Sequence, residues 1–316
     1  MPKLTLRHPI RTLDNQLLLG PGAFLTQETL DSFISLHKPH SYPSHPLLLH
    51  GSVREDCLNF IGSPPYDVIF SDKNEVNDLL NILETVRLPI PILQSLDYFK
   101  QHDFYTYMHI LMVFALSTLL AKDLVPDYEE CIRLSATGPT HDIGKICVPL
   151  RILKKTTPLT KAERGFIEHH AAAGYVLINY YYKEFQPLAC RVALDHHERK
   201  DGSGYPRGNV LKDPLVEIIA VSDIYDALIV PRPYRSTAYN NRAALEEITE
   251  MAVQNKIGWD EVKALIAHNR KSKPGYGEIR ISREMRSTRP SYNVYGVIDD
   301  KTNPEEGGPK GDGTHS

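Results

Sequence analysis

From Ser95 to Asn269 the apolar residues recur at steps of three and four, and strand-like alternation is scarce. That period gives a helix one apolar face, and faces of this kind are buried against other helices. The spacing predicts helices over 103–122, 127–136, 160–182, 186–197, 214–229, 240–254 and 258–268. An all-α domain over 96–270 is therefore expected. Residues 1–95 read differently. KLTLRH alternates, LLLG ends on Gly20, and PLLLHG and YDVIF have the composition of short strands. LTQETLDSFISLH and NEVNDLLNILETVR carry helical spacing instead. The expectation is a small N-terminal α/β or α+β module with a regulatory or interaction role, ending near Pro89 and Pro91. Its histidines His37, His40, His45 and His50 sit among prolines and read as loop residues. Residues 271–316 make a third piece. Lys271, Lys273, Arg280, Arg283, Arg286 and Arg289 read as solvated surface, and DDKTNPEEGGPKGDGTHS has the composition of a disordered tail.

Composition narrows the partners. A formal net charge of −3 is not that of a protein that coats DNA, so an anionic substrate has to be attracted by local basic residues. The cysteines Cys57, Cys131, Cys147 and Cys190 have no CxxC spacing, which fits a reducing cytoplasm better than a disulfide framework. The N-terminal MPKLTLRHPIRTLDNQ lacks an apolar stretch of signal-peptide length. The apolar run Ile110–Ala121 reads as too short for a membrane span.

The helical half carries an unusual set of polar residues. His109 lies in an apolar helix, and His141 and Asp142 open HDIGK. His170 begins HAAAG, His196 and His197 open HHERKDGSGYP, and Asp223 sits in AVSDIYDAL. Any one of them alone is an ordinary hydrogen-bonded core residue. Buried together, they cost heavily unless a cation compensates their charge and lone pairs. Helical bundles build dinuclear metal sites from such inward-facing groups. Nitrogen and carboxylate ligands without thiolate suit iron, manganese, zinc or cobalt. A carboxylate such as Asp142 can bridge two metals, and a pair about 3.5–4 Å apart can polarise a phosphate and activate a water. On a helix, Lys145 falls one turn after His141 and three residues after Asp142, within reach of a phosphoryl oxygen.

These stretches resemble the HD-GYP family, a branch of the HD metal-dependent phosphohydrolases. The matching text is HDIGK (141–145), PLT-x-x-E (158–163), HAAAG (170–174), HHERKDGSGYP (196–206), AVSDIYDAL (220–228) and RPYR (232–235). The order and spacing hold across about 97 to 268. The resemblance implies an HD-type helical bundle, a metal centre of iron first and manganese as alternative, and hydrolysis of cyclic di-GMP. It implies His109, His141, Asp142, His170, His196, His197 and Asp223 as ligands, with Lys145 acting on the scissile phosphate. Gly202, Gly204, Tyr205 and Pro206 would line the site, with a guanine stacked on an aromatic ring such as Tyr205. Arg232 and Arg235 would meet the second phosphate or hold that loop. Protein partners docking at the GYP loop or the N-terminal module are compatible with catalysis.

Two positions depart from the family pattern. Trinuclear members carry a glutamate four residues before the first ligand histidine, where this chain has Tyr105, so two metals are expected, with linear pGpG as the main product and slower or no conversion to GMP. Gly138-Pro139 interrupts the helix that usually leads into HD, and Pro139 can start a new one. Two other readings share these residues: a sensor that binds cyclic di-GMP without cleaving it, and a hydrolase of another cyclic dinucleotide.

Overall fold

The structure, a computed structural model, describes residues 4–26, 28–29, 42–182, 187–232, 237–282, 286–290 and 298–299. Helices dominate from Val53 onward. They are α1 (Val53–Ile61), α2 (Lys73–Leu83), α3 (Ile90–His102), α4 (Phe104–Leu124), α5 (Tyr128–Ser135), the short α6 (Leu150–Leu153), α7 (Lys161–Tyr181), α8 (Pro187–Asp195), α9 (Pro214–Ile229), α10 (Asn241–Val253) and α11 (Trp259–His268).

Helix α4 is the axis of the bundle. Every side chain from His109 to Ala121 is buried, because the helix is apolar on all sides and is covered by α1, α3, α5, α9 and α11. Its Thr118 hydroxyl donates to Phe114 O at 2.8 Å, which satisfies one of its few polar groups internally. At 21 residues α4 extends beyond the apolar run and passes for a membrane span by length and composition alone. However, 83% of its most apolar window is packed inside the protein.

The helix ends follow from local chemistry. Asp127 caps α5 by accepting from Glu130 N, and Asn240 caps α10 by accepting from Ala243 N. The PLT-x-x-E stretch is a capping box that starts α7: Thr160 Oγ1 accepts from Glu163 N at 3.2 Å, and Glu163 Oε2 accepts from Thr160 N at 2.8 Å. Pro214 occupies the first turn of α9, where its missing N–H costs nothing.

Among the described residues the N-terminal strands pair as two-stranded ribbons. Strands β1 (Leu4–Thr5) and β4 (Phe24–Leu25) are antiparallel, as are β2 (Ile10–Arg11) and β3 (Leu17–Leu19). Strand β5 (Ser44–Pro46) pairs antiparallel with β6 (Arg87–Pro89), in register Ser44 to Pro89. Two expected strands differ. In PLLLHG only Pro46 is in a strand, and Leu47–Leu49 turn into a 3-10 helix. YDVIF is a run of turns, its backbone satisfied locally by Ile69 N and Phe70 N donating to Tyr66 O. The helix expected over LTQETLDSFISLH lies almost wholly outside the described residues, as do His37 and His40. His45 is in β5, and His50 Nε2 lies 2.9 Å from Asp97 Oδ2.

One continuous apolar core runs from Leu6 to Leu265. The basic stretch after Asn269 is partly docked rather than simply solvated. Lys273 Nζ donates to Val68 O at 3.0 Å, Arg289 pairs with Glu247 at 2.8 Å, and β8 (Ile298–Asp299) lies parallel to β7 (Leu159–Thr160). Residues 300–316 lie outside the described residues. All four cysteines are free thiols, and Cys57, Cys131 and Cys190 are buried.

Candidate metal centre

Three helices and two turns converge on one buried point. His109 comes from α4, His170 from the middle of α7 and Asp223 from α9. His141 and Asp142 lie between two 3-10 turns, Gly138–Thr140 and Ile143–Cys147. Pro139 does start a new turn there, although it is 3-10 and not α. His196 and His197 were expected within a helix running to 197, but α8 stops at Asp195. Neighbours on a continuing helix point roughly 100° apart. The turn instead brings the two rings together, with centroids 4.0 Å apart.

The HDIGK turn can sit against α7 because residue 144 is glycine. A Cβ there would lie 1.9 Å from His170 O and 2.4 Å from Gly174 N.

Potential ligand atoms fall into two groups, each within 4.8 Å: Asp142, His170, His196 and His197 in one, and His109, His141 and Asp223 in the other. The two carboxylates link the groups. Asp142 Oδ1 is 3.2 Å from His170 Nε2, while its Oδ2 is 3.3 Å from His109 Nε2 and 3.4 Å from His141 Nε2. Asp223 Oδ1 is 3.1 Å from His109 Nε2, and its Oδ2 is 3.7 Å from His197 Nδ1.

The histidines are aimed from behind. His141 Nδ1 donates to Gly138 O at 2.7 Å, His196 Nδ1 to Val192 O at 2.9 Å, and His170 Nδ1 to Ile167 O. A carbonyl only accepts, so each of these Nδ1 atoms carries the proton and each Nε2 presents a lone pair to the centre. His109 Nδ1 donates to Asp226 Oδ2 at 2.5 Å. Asp226 is fully buried and was not singled out from the sequence. The available signal was its place three residues after Asp223, on the same helix face.

These groups fit a cation. Nε2 of His109, Nε2 of His141 and Oδ1 of Asp142 are buried and make no hydrogen bond, an expensive arrangement for the protein alone. Burial opposes ionisation of Asp142 and Asp223, yet both are held well below the usual carboxylate range. Lys145 and His141 do this for Asp142, and His109 and His197 for Asp223. Burial and neighbouring imidazoles lower His196 to about 3 and His197 well below its ordinary value. His170 is lowered as well, first by burial. Neutral imidazoles and ionised carboxylates are the forms that bind metal. His109 behaves oppositely: against its burial, Asp226, Asp142 and Asp223 raise it to about 10. The position between those carboxylates demands a positive charge.

Three of these residues, His170, His197 and Asp223, line a cavity of about 450 Å³. Lys145 reaches this cavity and donates to Asp142 Oδ2. The expected α-helical turn is 3-10 here, and its three-residue period places Lys145 directly over Asp142. Tyr205 also lines the cavity and stacks on His197, with centroids 4.4 Å apart. Among the described residues Gly202, Gly204 and Pro206 do not line it, contrary to expectation. Gly204 is needed for packing instead: a Cβ there would come within 2.3 Å of His197 O and 2.5 Å of Glu198 Cα. Gly202 adopts a left-handed φ of 77°. Glu198, missed from sequence, is buried and holds the loop by accepting from Arg207 N at 2.8 Å and Asn209 N at 2.9 Å.

Arg232 lines the cavity with its guanidinium 4.8 Å from the Tyr105 ring centre, and Tyr105 in turn lies parallel to His109. Arg235 lies outside the described residues. Three further basic residues line the cavity without having been anticipated: Lys155, Arg164 and Arg199. Their motifs gave no signal because the chain brings them in from separate loops and helices.

A helical bundle with two His/carboxylate groups at its centre is the architecture of proteins that hold metals between facing helices. Residues 87–259, more than half of the chain, match the HD domain family model. The chain belongs to the HD domain family, in its HD-GYP branch. It is 40% identical over 129 residues to the cyclic di-GMP phosphodiesterase response regulator RpfG of Xanthomonas campestris, covering 40% of this chain and 34% of that protein. It is 37% identical over 185 residues to the cyclic di-GMP phosphodiesterase PA4108 of Pseudomonas aeruginosa, covering 57% and 44%. It is 38% identical over 135 residues to 3'3'-cGAMP-specific phosphodiesterase 1 of Vibrio cholerae, covering 42% and 31%. The chain thus spans less than half the length of these relatives.

Proposed function

We propose that this chain is a metal-dependent phosphodiesterase that opens cyclic di-GMP to linear pGpG at a binuclear centre in the cytoplasm. The observation that carries the reading is the pair of His/carboxylate groups linked by Asp142, beside a cavity that Lys145 also lines. His109, His141, Asp142, His170, His196, His197 and Asp223 would hold two divalent metals, iron first and manganese second. Bound there, the metals supply Lewis acidity towards a phosphate and make a water acidic enough to attack it.

The chain's own groups do the rest. Lys145 stays protonated because Asp142 raises its pKa against the cost of burial. It can give a hydrogen bond to a phosphoryl oxygen or a proton to the departing 3′ oxygen. Arg199 and Arg232 lie on the cavity wall and suit the second phosphate. Ile224, Leu228, Tyr205 and Tyr239 offer apolar and aromatic surface to purines. Tyr105, between the Arg232 guanidinium and the His109 ring, stands at the sequence position of the family's third-metal glutamate, which supports two metals and pGpG as the end product.

A second reading is favoured by the relatives named for 3'3'-cGAMP: the same centre would cleave a mixed purine dinucleotide. The test is to purify the chain anaerobically, count metals and follow cyclic di-GMP and 3'3'-cGAMP by chromatography. About two metals per chain with pGpG appearing supports the first reading, and faster loss of cGAMP supports the second. A loaded chain that binds cyclic di-GMP and returns it intact overturns the enzymatic reading in favour of a sensor. Asp142→Asn should retain less than half the metal and none of the turnover.

A further inference from the structure

The family match begins at residue 87, yet an earlier residue reaches the metal centre. Tyr66, 3% exposed, donates its phenol O–H to Asp226 Oδ1. The other oxygen of Asp226 accepts from His109 Nδ1 at 2.5 Å. Tyr66, Asp226 and His109 thus form an unbroken buried chain of hydrogen bonds ending at one of the proposed ligands. Burial and the Asp226 charge hold the Tyr66 phenol well above its ordinary pKa, so it remains a donor. The backbone on either side of Tyr66 is gripped by the helical half. Asn241 Nδ2 donates to Pro65 O at 2.9 Å, and Lys273 Nζ donates to Val68 O at 3.0 Å.

We propose that Tyr66 is a positioning residue for the metal centre, fixing Asp226 so that His109 keeps its Nε2 directed between Asp142 and Asp223. The inference rests on the metal-centre reading above. A carboxylate held through both oxygens cannot rotate about its last torsion. Without the phenol, Asp226 Oδ1 is a buried acceptor with no donor, and the carboxylate turns away from His109 to find one. Groups that hold a metal-binding histidine from behind change metal affinity by about 10- to 100-fold when removed. Because Tyr66 precedes the matched stretch, this chain's N-terminal segment would set the affinity of one metal position. Any signal that shifts residues 63–70 would then be felt at His109.

Tyr66→Phe keeps the ring and removes only the hydroxyl. The test titrates the metal-stripped full chain with Co²⁺ and reads the visible absorption of bound cobalt, alongside thermal unfolding. Tyr66→Phe should weaken one cobalt equivalent about 10-fold or more and leave the other unchanged. Tyr181→Phe, a similarly buried tyrosine at the end of α7, should leave both unchanged. In an Asp226→Asn background, Tyr66→Phe should add less than a twofold effect, since the path is already cut. Wild-type cobalt affinity at both positions in Tyr66→Phe overturns the inference and leaves Tyr66 as core packing. Loss of both equivalents together with the thermal transition does the same, because it shows general unfolding. A wild-type chain that takes up no cobalt overturns the metal reading itself, and this inference with it.

Discussion

Replacing Gly144 with alanine tests the geometry of the centre without touching a ligand. The added Cβ would meet His170 O at 1.9 Å and Gly174 N at 2.4 Å, both backbone atoms of α7. Ordinary carbon–oxygen contact needs roughly 3.2 Å or more, so the HDIGK turn has to retreat by more than about 1 Å. Neither neighbour is the end of a flexible side chain that can swing aside. Overpacking of this kind costs about 3 kcal/mol. The retreat also carries Asp142 away from His170, whose Nε2 is 3.2 Å from Asp142 Oδ1. A misplacement near 1 Å costs about 10²-fold in rate. Gly144→Ala should therefore lower the urea midpoint at unchanged slope, reduce bound metal, and cut turnover by about 10²-fold or more. Gly275→Ala is the control, because its Cβ would meet only Glu278 Oε1 at 3.7 Å. If Gly144→Ala matches Gly275→Ala in midpoint and metal content, the HDIGK turn is not seated on α7 as described, and the bridging geometry of Asp142 falls with it.

Lys145→Met should leave two metals bound and lower kcat by about 10²- to 10³-fold, measured as pGpG formed by metal-loaded protein; an unchanged kcat removes Lys145 from the reaction. A pH effect on stability is expected at Glu261, which is not one of the proposed ligands. Burial first, then the charge of Glu217, raises its carboxyl from 4.5 to about 7. The folded chain then keeps a proton that the unfolded chain releases at lower pH, so stability falls as pH rises from 4.5 to 7 and is level above that. The displacement corresponds to about 3 kcal/mol. Denaturation of wild type and Glu261→Gln at pH 5 and pH 8 should show the wild type losing about that much more than the variant, and parallel losses would sink the assignment.

The bundle was legible because helical periodicity is a local property. The expected spans over 103–122, 160–182 and 214–229 agree closely with α4, α7 and α9, whose apolar faces meet one core. Composition was less informative where backbone satisfaction decides. YDVIF is rich in strand-forming residues, but among the described residues no strand pairs with it, and the Ile69 and Phe70 amides bond back along the chain. The break after Asp195 was hidden for a related reason, since nothing in ALDHH marks a stop and only convergence on the centre explains it.

The candidate ligands could be read because their residue types stand out against an apolar background. The groups behind them could not. Asp226 shares AVSDIYDAL with Asp223, and without coordinates either aspartate is an equally good candidate to face the histidines. Tyr66 lies 160 positions from Asp226 and belongs to a segment with no recognisable text. Glycine misled in a more useful way. Gly204 invited a reading of close approach to a substrate, whereas its missing side chain makes room for the backbone of His197 and Glu198. The neighbouring Tyr205 ring stacks on His197, so the loop touches both the cavity wall and a proposed ligand. A substrate that moves Tyr205 is expected to disturb His197, just as the proposal expects a displacement of Tyr66 to disturb His109. The centre is contacted both by the GYP loop and by the N-terminal segment, and each contact runs through the ring of a histidine.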